Sequence, residues 1–138
     1  MKVIILKSEF TLTKNESEIM ELLWKEKRPL SGSEIIKLSP NKSWKKGSIF
    51  ILLNSLLKKK AIEVGGLTRS QTNYGRAFAP TLSANDYAIM QINVNRKEQN
   101  LSMSDLIVGM IASEEIDQTV IEELEKLLQE KKKELEEQ

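Results

Sequence analysis

The sequence predicts a mostly α fold of the α+β type in two parts, a small helix-and-strand domain followed by a helical segment. Three observations predict it. Apolar residues recur at spacings of three and four over six segments, the pattern of helices with one buried face. Two short β-favouring runs, Ala61–Val64 and Arg76–Ala79, fall together after the third of these segments. The charge also divides near Ser83: residues 1–82 hold 15 Lys/Arg and 7 Asp/Glu, whereas residues 83–138 hold 6 and 13. A net charge of +1 thus conceals a basic half and an acidic half. The expected domains are 1–82 and 83–138.

Val3 to Leu6 reads as a short strand or an apolar arm, too short for a signal-peptide core or a membrane span. With no apolar stretch near ~20 residues anywhere, a cytoplasmic protein without membrane contact is expected. Thr13-Lys14-Asn15-Glu16 fits the S/T-x-x-E capping box and opens a helix of about residues 14–26. Pro29 ends that unit. Ser31-Gly32-Ser33-Glu34 repeats the box and opens a short second helix through Leu38, closed by a turn at Pro40-Asn41.

Ser43 to Lys60 is the most regular segment, with Ile49, Leu52, Leu53, Leu56 and Leu57 on one stripe. Its opposite face centres on Ile51 and Lys58, flanked by Gly47, Ser48, Asn54 and Ser55. The two short strands follow, joined by a polar loop that holds Gly65, Gly66, Arg69, Gln71, Asn73 and Gly75. Three helices and then a two- or three-stranded sheet is the order of a winged helix-turn-helix, in which the third helix enters a DNA major groove.

Ser83-Ala84-Asn85-Asp86 starts a fourth helix to about Lys97, an apolar helix spans about Leu101 to Ile111, and Asp117 caps the last. These helices carry more apolar surface than three lone helices can bury, which points to pairing with a second copy. The expected interface is Leu106, Ile107, Met110, Ile111, Ile121, Leu124 and Leu128.

Candidate DNA contacts follow from residue type. Lys45, Lys46, Lys58, Arg69 and Arg76 suit phosphates, Ser48, Asn54 and Ser55 suit base edges, and Ile51 suits only apolar contact such as a thymine methyl. Trp24 and Trp44 are expected as core anchors and the five methionines as packing residues. With no Cys and no His, thiol chemistry and the commonest metal ligand and general base are missing. No phosphate-binding, dinucleotide-binding or nucleophile-elbow motif is present. No enzyme, cofactor or metal is expected.

Several short motifs recur in a fixed order: Leu12–Trp24 with Glu16, Ile19, Met20 and Trp24; Trp44 ahead of the third helix; Leu52-Leu53 with Leu56 and Lys59; Gly75-Arg76 and Pro80; and Ile121-Glu122-Glu123-Leu124. From about Leu12 to Leu128 this set resembles the penicillinase-repressor (BlaI/MecI/CopY) family of winged-helix transcriptional regulators. The chain departs from the family pattern at Lys45, Lys46, Ser48, Ile51 and Ser55, at Lys60 where the family has Gly, and in a longer wing loop. The resemblance implies a homodimeric repressor on a pseudo-palindromic operator. In relatives controlling β-lactam resistance, a regulatory protease cuts the dimerisation segment between an Asn and a Phe. The matching bond is Gly109–Met110, with neither residue kept. The competing expectation is a regulatory protein–protein interaction module on the same scaffold that no longer reads DNA, because Phe50 and Ile51 are apolar where a reader is usually polar.

Overall fold

The computed structural model describes residues 9–69, 74–113 and 116–138, which leaves Val3 to Leu6 outside. Its order is α1 (Lys14–Glu26), β1 (Leu30–Ser31), α2 (Gly32–Lys37), a 3₁₀ turn (Lys46–Ser48), α3 (Ile49–Lys58), β2 (Ile62–Arg69), β3 (Tyr74–Pro80), α4 (Ala84–Gln99), α5 (Met103–Ser113) and α6 (Gln118–Glu136). This is the expected winged-helix architecture. Both capping boxes are formed: Thr13 and Glu16 close reciprocally at 2.8 and 3.2 Å, and Ser31 and Glu34 at 3.0 and 3.2 Å.

Helix ends follow from left-handed residues. Lys60 has φ 64°, and the amides of Lys60 and Ala61 donate to the carbonyls of Leu57 and Leu56, both at 3.0 Å. This is a Schellman motif built without glycine, its apolar contact supplied by the buried Leu56 and Ala61. The same 6→1 and 5→2 bonds end α4 at Asn100, φ 54°.

The sheet runs β1-β3-β2, all antiparallel. Leu30 pairs with Phe78, and β2 pairs with β3 from Ile62↔Pro80 to Arg69↔Tyr74. β1 was not legible, since two residues carry no period. The hairpin arms are longer than the sequence predicts, because cross-strand pairing carries the ladder through the glycine-rich residues. A bulge falls between Val64 and Gly66, where a Cβ on Gly65 would lie 3.0 Å from the Pro29 ring and 3.1 Å from Ala79 Cβ. Glycine is required there for close approach.

The chain divides into two compact units, residues 1–94 and 95–138. The core of the first joins Ile19, Met20 and Leu23 of α1, Ile35 of α2, Ile49, Leu53 and Leu56 of α3, Phe78 of β3 and Trp44, as expected for that indole. It also takes in Leu82 and Met90. Tyr87 Oη accepts the Leu12 amide at 2.9 Å while its ring stacks on Phe10 at 5.9 Å. Gln91 donates to the Phe10 carbonyl at 2.9 Å, and Trp24 Nε1 to that of Leu82 at 2.8 Å. The two compact units meet at Val94/Asn95, inside α4, whereas the charge divides at Leu82/Ser83. Charge changes sign at the surface, whereas the unit is bounded by its buried contacts.

In the second unit Ser102 caps α5 and Asp117 caps α6. No described residue of that unit is buried.

Candidate nucleic-acid interface

The exposed face of α3 begins before the helix. The backbone is extended at Lys45, makes the 3₁₀ turn and turns α-helical at Ile49, so Lys45, Lys46 and Ser48 precede regular helix rather than lying within it. From there Ile49, Leu53 and Leu56 point inward, while Phe50, Ile51, Asn54 and Lys58 lie exposed. With Lys45, Lys46 and Gly47 also exposed, these residues make one continuous stripe. From Ile35 to Ile62 the chain has seven lysines and no acidic residue. Lys45, Lys46 and Lys58 pair with no carboxylate among the described residues, so the field of the face is positive.

Helix α1 holds this segment at both ends. At the front, Glu18 Oε1 accepts the Ser43 amide at 2.9 Å and Oε2 accepts its hydroxyl, which also reaches Asn15 Oδ1 at 3.1 Å. The hydroxyl and amide of Ser43 hold the Glu18 carboxyl below its ordinary range. At the rear, Glu16 is 1% exposed, with Ser55 Oγ donating to it at 2.6 Å and Lys59 Nζ at 2.5 Å. Lys59 also donates to the Thr11 carbonyl at 2.8 Å. Burial pushes the Glu16 carboxyl up, but the bonds from Lys59, Ser55 and the Thr13 amide outweigh it and leave it below the ordinary value.

Ser55, unlike the exposed candidates of the stripe, is half-buried, and its hydroxyl donates to Glu16 of α1. Sequence reading caught Glu16 as a capping residue and missed its second role. An acidic residue opposite a Ser and a Lys four apart on the next long helix is legible only once the two helices are known to face each other.

The remaining candidates are placed as follows. Lys45, Lys46, Ile51, Asn54 and Lys58 share the exposed stripe, with Ser48 half-buried at its start. Arg76 is exposed on β3, its guanidinium 5.3 Å from the Phe78 ring centroid. Arg69 closes β2, but its side chain lies outside the described residues. Lys42 sits over the buried Trp44 ring at 5.5 Å, which gives that lysine a packing role.

On α5 and α6 the expected interface residues Ile107, Met110, Ile111, Ile121 and Leu128 are exposed, and Leu106 and Leu124 are half-buried. Leu101, Met103, Val108, Val120 and Leu135 add to this apolar surface. Gly109 and Met110 lie inside α5, and a Cβ on Gly109 would meet nothing within 4 Å. Among the described residues no helix is long and apolar enough to cross a membrane, and no three His, Cys, Asp or Glu side chains gather as metal ligands.

Comparison with curated proteins finds no match in sequence. Among solved structures, the chain is similar to the adhesin competence repressor AdcR of Streptococcus pyogenes, at 16% identity and a TM-score of 0.39, over 91% of this chain and 81% of that one. It is similar to ZitR of Lactococcus lactis, at 16% and 0.40, over 96% and 82%. A PadR-family transcription regulator of Clostridium difficile follows, at 17% and 0.39, over 65% and 96%. The family model described as penicillinase repressor matches residues 12–130, nearly the whole of the winged helix and the helices behind it. The chain belongs to the penicillinase repressor family of winged-helix transcriptional regulators.

Proposed function

We propose that the chain is a homodimeric repressor that occupies a pseudo-palindromic operator, with α3 of each protomer in the major groove of one half-site. The observation that carries this reading is the exposed stripe of α3, which presents Asn54 between Lys45, Lys46 and Lys58 in a segment without a single carboxylate. The lysines and Arg76 neutralise phosphates, and Asn54 offers a donor–acceptor pair suited to adenine. Dimerisation through Leu106, Ile107, Met110, Ile111, Ile121, Leu124 and Leu128 is supported by their exposure, whole or partial, in a single chain. The symmetric dimer sets the two recognition helices one or more duplex turns apart.

The competing reading, an interaction module that has lost DNA recognition, is favoured by the exposure of Phe50 and Ile51 on the same stripe. Fluorescence anisotropy with genomic fragments across a salt series separates the two. Four cations per protomer in a dimer give a slope of log K against log salt of up to about −7. A slope near zero, or no retention of any fragment at low salt, would leave the interaction module.

A further inference from the structure

Of all large apolar side chains described, Ile51 is the most exposed, at 72%, and its neighbour Phe50 comes next together with Leu128, both at 65%. Ile51 takes no part in the core, and Phe50 touches it only at the edge, beside Gly32. The core stripe of α3 is complete in Ile49, Leu53 and Leu56, all 3% exposed or less. An apolar pair facing outward among cations contributes little to the fold and is available to a partner outside the chain. The surroundings state the charge of that partner. Lys45, Lys46 and Lys58 border the pair, with no acidic residue from Ile35 to Ile62, which suits a polyanion that also offers small apolar groups. In duplex DNA the apolar group in the major groove is the C5-methyl of thymine.

Resting on the proposed DNA-binding reading, we infer that Ile51 is a specificity-determining residue that reads a thymine methyl beside the base pair read by Asn54. Three residues of helix advance about 4.5 Å along the axis, near the ~3.4 Å rise of one base pair, so positions 51 and 54 address neighbouring pairs. Phe50 braces the edge of this contact. Its ring approaches within 3.8 Å of the position a Cβ on Gly32 would take, which seats it against the start of α2 beside Ile51. The operator half-site is thus a step of two A·T pairs, one read through adenine N6 and N7 and the next through its thymine methyl.

The test begins with duplexes selected by the full chain from a random-sequence pool at low salt. In the selected duplex each thymine is replaced singly by deoxyuridine, which removes the methyl and leaves base pairing intact. One replacement per half-site is expected to weaken binding about fourfold, the effect of losing one buried methyl, while the others leave it unchanged. Ile51→Ala is expected to bind the unmodified duplex at least as weakly as the intact chain binds a duplex with that thymine replaced in both half-sites, and to be insensitive to either replacement. Its thermal melt should match the parent, since the side chain is exposed. Salt-sensitive binding in which every deoxyuridine duplex is bound as tightly as its thymine parent would overturn this inference alone. Failure of the pool to yield any bound duplex would overturn the DNA-binding reading beneath it.

Discussion

Glu16 does three jobs with two oxygens: it closes the α1 capping box, accepts Ser55 and pairs with Lys59. A carboxylate held below its ordinary value of 4.5 stabilises the fold above that pH and loses the contribution as pH falls through its folded value. Glu18 and Glu34 are held low as well, by Ser43 and by Arg28 with Ser31, and act in the same direction. With no histidine in the chain, no side chain has an ordinary pKa between 5 and 8. Chemical denaturation is therefore expected to give a flat stability from pH 8 to about 5.5 and a decline below about 4.5. Glu16→Gln should cost roughly 2–3 kcal/mol at neutral pH, because it removes the charge paired with Lys59 and sets an amide N–H against the donors that the carboxylate accepts. The difference from the parent should shrink on the acid limb. A constant difference at all pH values would mean that packing alone explains the loss. Lys60 gives a prediction of opposite sign. It holds φ 64° at the end of α3, where a side chain meets its own backbone and glycine does not. Lys60→Gly is expected to raise stability by about 1 kcal/mol, read from the urea midpoint at constant m-value.

At the scale of the element, α3 and its approach form the proposed reader, and their variants should separate by what they touch. Lys46→Ala and Arg76→Ala are expected to weaken binding across all sequences and flatten the salt slope by about two units each, one contact being lost in each protomer of the dimer. Asn54→Ala should relax preference at one base position at a cost of roughly 1–3 kcal/mol. Measured against a panel of single-base operator variants, unchanged preference in Asn54→Ala would place the wrong face of α3 in the groove. How far the sequence reveals this element is instructive. The inward stripe of α3 and the outward position of Ile51, Asn54 and Lys58 follow from a 100° step per residue, which local spacing alone sets. The bond from Ser55 to Glu16 does not, because it depends on how α1 packs on α3. Capping boxes were legible for the same reason that β1 was not. A box is a four-residue pattern closed on itself, whereas two residues become a strand only through Phe78 and Ala77 of β3.

At the scale of the whole chain, the seam at Val94/Asn95 changes what truncation does. A chain ending at Leu82 lacks Tyr87, Met90 and Gln91, and is expected to lose at least ~3 kcal/mol by opening the core around Phe10 and Leu12. A chain ending at Val94 should keep a cooperative melt yet sediment as a monomer and bind operator more weakly by roughly 10²–10⁴-fold, since the linked second half-site is gone. The full chain is expected to sediment as a dimer at micromolar concentration, and only monomer at tens of micromolar would remove the dimer from the proposal.

Within the proposed dimer Gly109 would have a particular place. Glycine inside a helix costs about 1 kcal/mol relative to alanine, and nothing in the protomer comes near its missing Cβ. Packing within one chain therefore does not require it. Two roles outside the chain would. Either the backbone of the second copy passes close to α5 at this point, with Met110 filling the contact, or the glycine is a weak point where α5 opens so that a protease can cut Gly109–Met110. A helical peptide bond is not a protease substrate until it unwinds, so the second role depends on local opening of α5. Gly109→Ala separates them, because it strengthens the helix in both cases but inserts a methyl only where a partner is near. The expected outcome is weaker dimerisation by sedimentation, several-fold or more, with the helix content of the chain unchanged or higher. A dimer as tight as the parent, together with slower loss of intact protein in induced cells and a parental fragment ending at Gly109 by mass spectrometry, would instead assign this position to release from DNA.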